Sequence, residues 1–323
     1  MTDPTRPVPL YDELPLSPYG GRHAWDVARC TGIGTLGLID DQIRLHALRS
    51  ARTGELISLN APLDVMDPPL FGRAPLQHSV ETKREGLVLD DRLDAVYPQV
   101  SSQWDALNHI GAHPGVFFGG STLDEQLSGA VNGIDVWARR GIAGRGVLVD
   151  METTMTGVHG DYCPGEPIEI TVEDLQTALA AQGTDLRFGD ILVIRTSYLD
   201  WYRTLDGDAR TAIAEAGPDV RAAGLAHTED TARFLWNAGC AAIASDSLGV
   251  EVWPPDRTPD RQPFGFLHSS LIGHLGMAIG ELWELGELRD RCRARGAWDF
   301  LLVSAPLYVH GGVGSPSNAV AMV

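Results

Sequence analysis

The chain has 323 residues, 44% of them hydrophobic, enough apolar material for a sizeable core built as one large domain or two. Its 43 acidic and 25 basic residues leave a formal net charge of -18 with no Lys/Arg-rich block to offset it, which argues against nucleic acid and anionic membrane surfaces as partners. Cys30, Cys163, Cys240 and Cys292 are scattered without a Cys-x-x-Cys pair, which suggests neither a zinc ribbon nor a disulfide framework.

The start, Met1 to Gly21, carries acids and repeated prolines where a signal peptide needs a basic and then an apolar stretch. No apolar run approaches the roughly 18 residues of a membrane span, so a soluble cytoplasmic protein is expected. Residues 1–22 are expected to form an arm lying over the body or reaching a partner subunit, and residues 23–323 a single domain. Gly32-Ile-Gly34-Thr-Leu-Gly37 matches the dinucleotide fingerprint in letters. That motif needs a buried strand before it, whereas His23 to Cys30 carries charges on both faces; a turn leading into a helix is preferred. Asp40 to Arg52 has helical spacing and stops at Thr53-Gly54. Glu55 to Leu63 is a strand candidate, and proline-containing Asp64 to Val80 reads as a loop near the site.

If Gln99 to Asp105 is extended, Gln99, Ser101, Gln103 and Asp105 project from one face while Val100 and Trp104 anchor the other. Such a polar row reads as the floor of a site. His109 follows by one tight turn and is expected to fold back onto Asp105, whose carboxylate would fix the imidazole tautomer and raise its basicity. His113 lies four residues on, but Gly111 and Pro114 argue against a helix, so a loop histidine is preferred to a metal clamp.

Gly111 to Gly120 should be a loop, Gly146 to Asp150 a buried strand, and Thr171 to Gln182 an amphipathic helix opened by a capping box. Phe188-Gly-Asp190 turns into the apolar strand Ile191 to Arg195. Thr228 to Ala238 reads as a helix, Ala241 to Ser245 as a strand, Leu271 to Leu288 as a helix and Phe300 to Val303 as the last strand. The alternation favours an α/β or mixed α+β architecture with interior strands covered by helices. Glu281 follows the small, apolar Met277-Ala-Ile-Gly, where a carboxylate needs a partner to stay ionised unless it reaches solvent from a helix face. Neither Gly-x-Ser-x-Gly nor His-Glu-x-x-His occurs. Trp104, Phe117, Phe118, Trp253 and Phe264 offer aromatic surface, for a core or for a pocket.

Gln99-x-Ser101-Ser102-Gln103-x-Asp105-x-Leu107-x-His109 aligns with the His-x-Gly-Thr-His-x-Asp-x-Pro-x-His motif of the cyclase family, which includes bacterial kynurenine formamidase and isatin hydrolase, and the chain resembles that family. Asp105 and His109 match, while Gln99 and Gln103 replace two metal-binding histidines. The variant Ser-Gln-Trp-Asp-x-Leu-x-His is similar to a longer-chain branch of the family. Gly144 to Asp150, Gly189 to Thr196, Ala244 to Asp246 with Val250-Glu251, His268 to Glu281 and Gly311 to Pro316 support that branch by their order and spacing.

The resemblance implies a swivelling β/β/α fold and a homodimer or higher oligomer with sites near the subunit interface. It also implies zinc or manganese held by Asp105, His268 and Glu281, and His109 as acid/base for water attacking an amide, lactam or lactone carbonyl. A glutamine offers a metal only a neutral carbonyl oxygen. Gln99, Gln103 and the adjacent Trp104 are therefore expected as substrate contacts, the glutamines also as weak ligands, with the metal weakly held or absent. A hydrolase of a C–N or C–O bond in a small carbonyl compound is the leading expectation. A metal-independent cyclase, dehydratase or isomerase using His109 and Asp105 for proton transfer is the second, and a non-catalytic small-molecule binder the third.

Overall fold

Apolar runs from Ile142 to Glu281 become the centre of one sheet. In chain order the strands are β1 (Leu56–Ser58), β2 (Gln77–Lys83), β3 (Val88–Asp94), β4 (Gln103–Asp105), β5 (Ile142–Asp150), β6 (Glu169–Ile170) and β7 (Ile191–Arg195). They continue as β8 (Gly224–Leu225), β9 (Ala242–Ser245), β10 (Ala278–Glu281), β11 (Asp299–Ser304), β12 (Gly314–Pro316) and β13 (Ala319–Met322). This is a computed structural model that describes residues 7–323; the first six residues of the expected arm lie outside the described residues.

Nine strands form a mixed sheet in the order β1-β13-β11-β5-β7-β9-β10-β4-β12. The central four, β5, β7, β9 and β10, are parallel. Sheets of that kind are buried on both faces, which is why these segments read as continuous rather than alternating apolar runs. Helices over Asp41–Ala47, Met151–His159 and Val172–Gln182 pack on β5 and β7. Their starts follow from the sequence: Asp40 accepts from the Ile43 N–H, and Thr171 and Asp174 form a reciprocal capping box. Within residues 8–14 of the expected arm, Val8, Tyr11 and Leu14 are buried, and Trp236 Nε1 donates to the Pro9 carbonyl.

Four expectations are corrected. Leu271 to Leu288 is not one helix: Ser269–His274 is a π-helical turn, Ala278–Glu281 is strand β10, and a helix returns only at Gly286–Arg295. A buried apolar run fits either element by spacing alone, and parallel pairing with β9 decides for the strand. The polar row is not one strand either, since Pro98–Val100 is a 3-10 turn and only Gln103–Asp105 pairs as a strand. The expected loop Asp64 to Val80 gives way at Gln77 to the first arm of a β2–β3 hairpin. Finally, β12 and β13 follow the strand expected to be last.

Candidate functional site

Strand register builds the site. In the antiparallel β10–β4 pair, Glu281 lies opposite Gln103 and Ile279 opposite Asp105. Residues directly opposite share a face, as do residues two apart on one strand. Gln103, Asp105 and Glu281 therefore project together, and Gln103 Nε2 donates to Glu281 Oε2 at 2.7 Å. The π-helical turn begins beside His268, whose Nε2 is 2.9 Å from Glu281 Oε1 and 3.8 Å from Asp105 Oδ2. His109 is brought back by a turn closed from its own N–H to the Ala106 carbonyl, placing its Nε2 3.6 Å from Asp105 Oδ1.

The other residues singled out from sequence divide. Gln99 comes to the wall of the cavity from the 3-10 turn, and a Cβ at Gly314 would fall 2.5 Å from its Nε2, so this glycine leaves room for the amide. Ser101 faces away, bonding the Ala61 and Pro62 carbonyls. Trp104 is not brought to the cavity; it lies edge-on to Trp283 in the core and donates to Ser304. His113 is exposed and stacks on Tyr19.

Sequence reasoning missed three contributors. Glu251, wholly buried, accepts from the backbone N–H groups of Leu267 and His268 and pairs with His268 Nδ1. On its other side His227 Nε2 lies 2.7 Å away, in a geometry too bent for a hydrogen bond. Arg73 reaches into the cavity and donates to the Gln99 carbonyl. These side chains come from separate loops, so no local spacing marks them; Glu251 stood only among stretches supporting the family resemblance.

Burial, and then Glu281, push the Asp105 carboxyl well above the usual carboxylate range, against the pull of His268 and Arg73. Burial alone would lower His268, but Glu251 and Glu281 outweigh it and keep the imidazole protonated well above its ordinary value. Burial would raise Glu251, yet its contacts with His227 and His268 hold it at about 2. His109 is lowered to about 3 by burial and by the charges of His268 and Arg73, so it is neutral at pH 7. The expectation that Asp105 would fix its tautomer and raise its basicity is corrected, because Asp105 makes no hydrogen bond to the ring and burial drives its own carboxyl toward the protonated form.

Asp105, His268 and Glu281 each present a ligand atom within 4.8 Å of the others. Both Asp105 oxygens and Gln103 Oε1 are buried without a hydrogen-bond donor, the kind of deficit a cation fills. Two carboxylates, one imidazole and an amide oxygen suit manganese or magnesium better than zinc.

His109, His268 and Glu281 open into a cavity of about 280 Å³ with a largely apolar wall that includes Met66, Leu70 and Trp253. His109 also borders an outer chamber of about 720 Å³. No helix among the described residues is long and apolar enough to cross a membrane.

Residues 57–252 match the family described as "Putative cyclase". A crystal structure described as a novel cyclase is 30% identical and superposes with a TM-score of 0.79 over 93% of this chain and 99% of that one. Isatin hydrolase A from Labrenzia aggregata, bound to benzyl benzoate, is 18% identical, with a TM-score of 0.60 over 86% of this chain and 98% of its own. Another isatin hydrolase, bound to the product analogue thioisatinate, is 16% identical, with a TM-score of 0.59 over 88% and 99%. Among curated protein sequences, none matches the chain.

Proposed function

The chain belongs to the cyclase family and has its mixed α+β fold, and from that premise we propose that it hydrolyses an amide, lactam or lactone bond of a small carbonyl compound. The observation that carries this reading is the convergence of His109, His268 and Glu281 on one apolar cavity, with Asp105 buried directly behind them. The two isatin hydrolases share the fold at low identity and support it in that measure.

In this reading His109, neutral and at the cavity wall, accepts a proton from water, while Asp105, 3.6 Å from its Nε2, stands beside the ring. Asp105, His268 and Glu281 would hold a divalent cation, with the Gln103 amide oxygen as a weak fourth ligand. When bound, such a cation supplies Lewis acidity, polarising a carbonyl and acidifying water. Glu251 fixes the His268 ring through Nδ1, which leaves Nε2 facing the group. The apolar wall keeps bulk water away from the reacting carbonyl.

A specific contact favours a second reading, a metal-independent cyclase, dehydratase or isomerase. His268 bridges Glu251 and Glu281 as an imidazolium, and Gln103 satisfies the remaining Glu281 oxygen, so much of the ligand set is internally neutralised.

Turnover of small amides, lactams and lactones, with metal content and chelation, tests both. Stoichiometric metal and chelator-sensitive hydrolysis are expected; chelator-resistant turnover of a metal-free protein would select the second reading. His109→Ala should lower the rate on the order of 10²–10⁴-fold, and an unchanged rate would remove His109 as the base.

A further inference from the structure

Two arginines reach the inner cavity of a chain whose formal net charge is -18, and they are held differently. Arg73 is half-buried and donates to the Gln99 carbonyl, which holds it on the cavity wall, although it too makes no ion pair among the described residues. Arg257 is exposed and has no carboxylate in ion-pair range among the described residues. Its neighbour Asp256 is committed elsewhere, accepting from Thr258 and pairing with Arg261.

Position gives this free cation its meaning. Arg257 borders both chambers, and His109, Ile110 and Phe266 are the other side chains common to the two. Its guanidinium carbon lies 4.5 Å from the centre of the Phe266 ring, within cation–π range. Phe266 in turn stacks on His268 at 5.0 Å with an interplanar angle of 17°. The guanidinium is thus linked through Phe266, which braces its face, to His268 of the ligand group. Stacking occupies the face and leaves the N–H edge free, the edge that grips a carboxylate through two parallel hydrogen bonds. An anion approaching this acidic chain meets unfavourable long-range charge, so its capture requires a local cation of this kind.

We propose that Arg257 is the specificity-determining anchor of this site and that the substrate is an apolar or aryl carbonyl compound bearing a carboxylate. The apolar part and the reacting carbonyl occupy the inner chamber against Leu70, Trp253 and Phe266, and the carboxylate lies at the neck on Arg257. The inference deepens the hydrolase reading of this pocket and rests on it for the identity of the reacting bond.

Its test is a binding measurement independent of turnover. Benzoate and its neutral isostere benzamide are titrated calorimetrically into the full chain, as purified and after EDTA treatment, because a carboxylate can also ligate a metal. Benzoate should bind at least about tenfold tighter than benzamide in both preparations. Arg257→Ala, at an exposed position, should bring the ratio close to one while sparing benzamide, and Arg257→Lys should keep part of the preference. Equal binding of the two probes by the wild-type chain overturns the proposal. So does a preference that survives Arg257→Ala, or no benzoate binding up to the order of 10 mM. Hydrolysis without carboxylate preference would refute the Arg257 proposal alone, whereas carboxylate preference with unchanged turnover in His109→Ala would refute the assigned base and leave the anchor standing.

Discussion

Asp105 is wholly buried with neither oxygen hydrogen-bonded, flanked by two imidazoles and near a second carboxylate. Such a group is costly unless a proton or a cation answers it, and the same deficit motivates both the metal and the proton-transfer readings. Glu251 acts one contact further out, holding His268 through Nδ1. Removing its charge should loosen that ring and lower ligand basicity; Glu251→Gln is therefore expected to weaken manganese binding on the order of 10- to 100-fold, measured by titration calorimetry. Unchanged affinity would make Glu251 a purely structural partner. Asp105 and His109 were legible in the sequence because one short motif holds them four residues apart. Glu251 was not, because its partnership with His268 depends on how two loops meet.

At the scale of elements, β5, β7 and β11 are linked where Arg145 on β5 bridges Asp190, just before β7, and Asp299 on β11. The two acids respond to pH in opposite senses. Burial raises Asp190 to about 6 even though Arg145 and the Arg187 N–H pull it down. Its native form holds a proton more tightly than the unfolded chain, so its contribution is complete below the unfolded value of 3.8 and is lost as pH rises through about 6. Burial would also raise Asp299, but hydrogen bonds from Arg52 and Arg145 outweigh it and hold the carboxyl below its ordinary range, so that contribution is lost as pH falls. Asp190→Asn should flatten the decline in stability between about pH 4 and 6, on the order of 2–3 kcal/mol, in urea titrations across pH. An unaltered profile would show that Asp190 does not titrate there. Sequence spacing served the helices with clear caps and failed for Leu271 to Leu288. There pairing of Ala278–Gly280 with β9 draws the chain into the sheet, and Gly273 and Gly276 lack the Cβ that would collide with Ala112 and Phe118 on the way.

For the whole molecule, the β2–β3 hairpin is the feature a lone chain leaves unfinished. Register places Val80, Leu89 and Leu93 on one face, each at least half exposed and sharing it with the His78–Asp91 pair, and the Glu81–Arg92 and Lys83–Asp90 ion pairs on the other. A two-stranded hairpin is marginal in water without cover for its apolar face. The family resemblance implies a homodimer or higher oligomer, and a second copy covering this face is our proposal. Leu89→Asp combined with Leu93→Asp should shift the protein toward monomer in sedimentation velocity; an unchanged oligomer would place the interface elsewhere.

The sequence by itself determined the strand–helix alternation, the capped helices and the identity of Asp105, His109, His268 and Glu281 as the residues to watch. The elements depend on local spacing and capping chemistry, Asp105 and His109 on one short motif, and His268 and Glu281 on the family resemblance. Only the tertiary structure decided that Gln103 faces Glu281, that Glu251 and Arg73 join the site, that Trp104 leaves it, and that Arg257 stands uncompensated at its mouth. Each of these is set by pairing between distant strands and by which loops meet, and local sequence spacing does not specify those contacts.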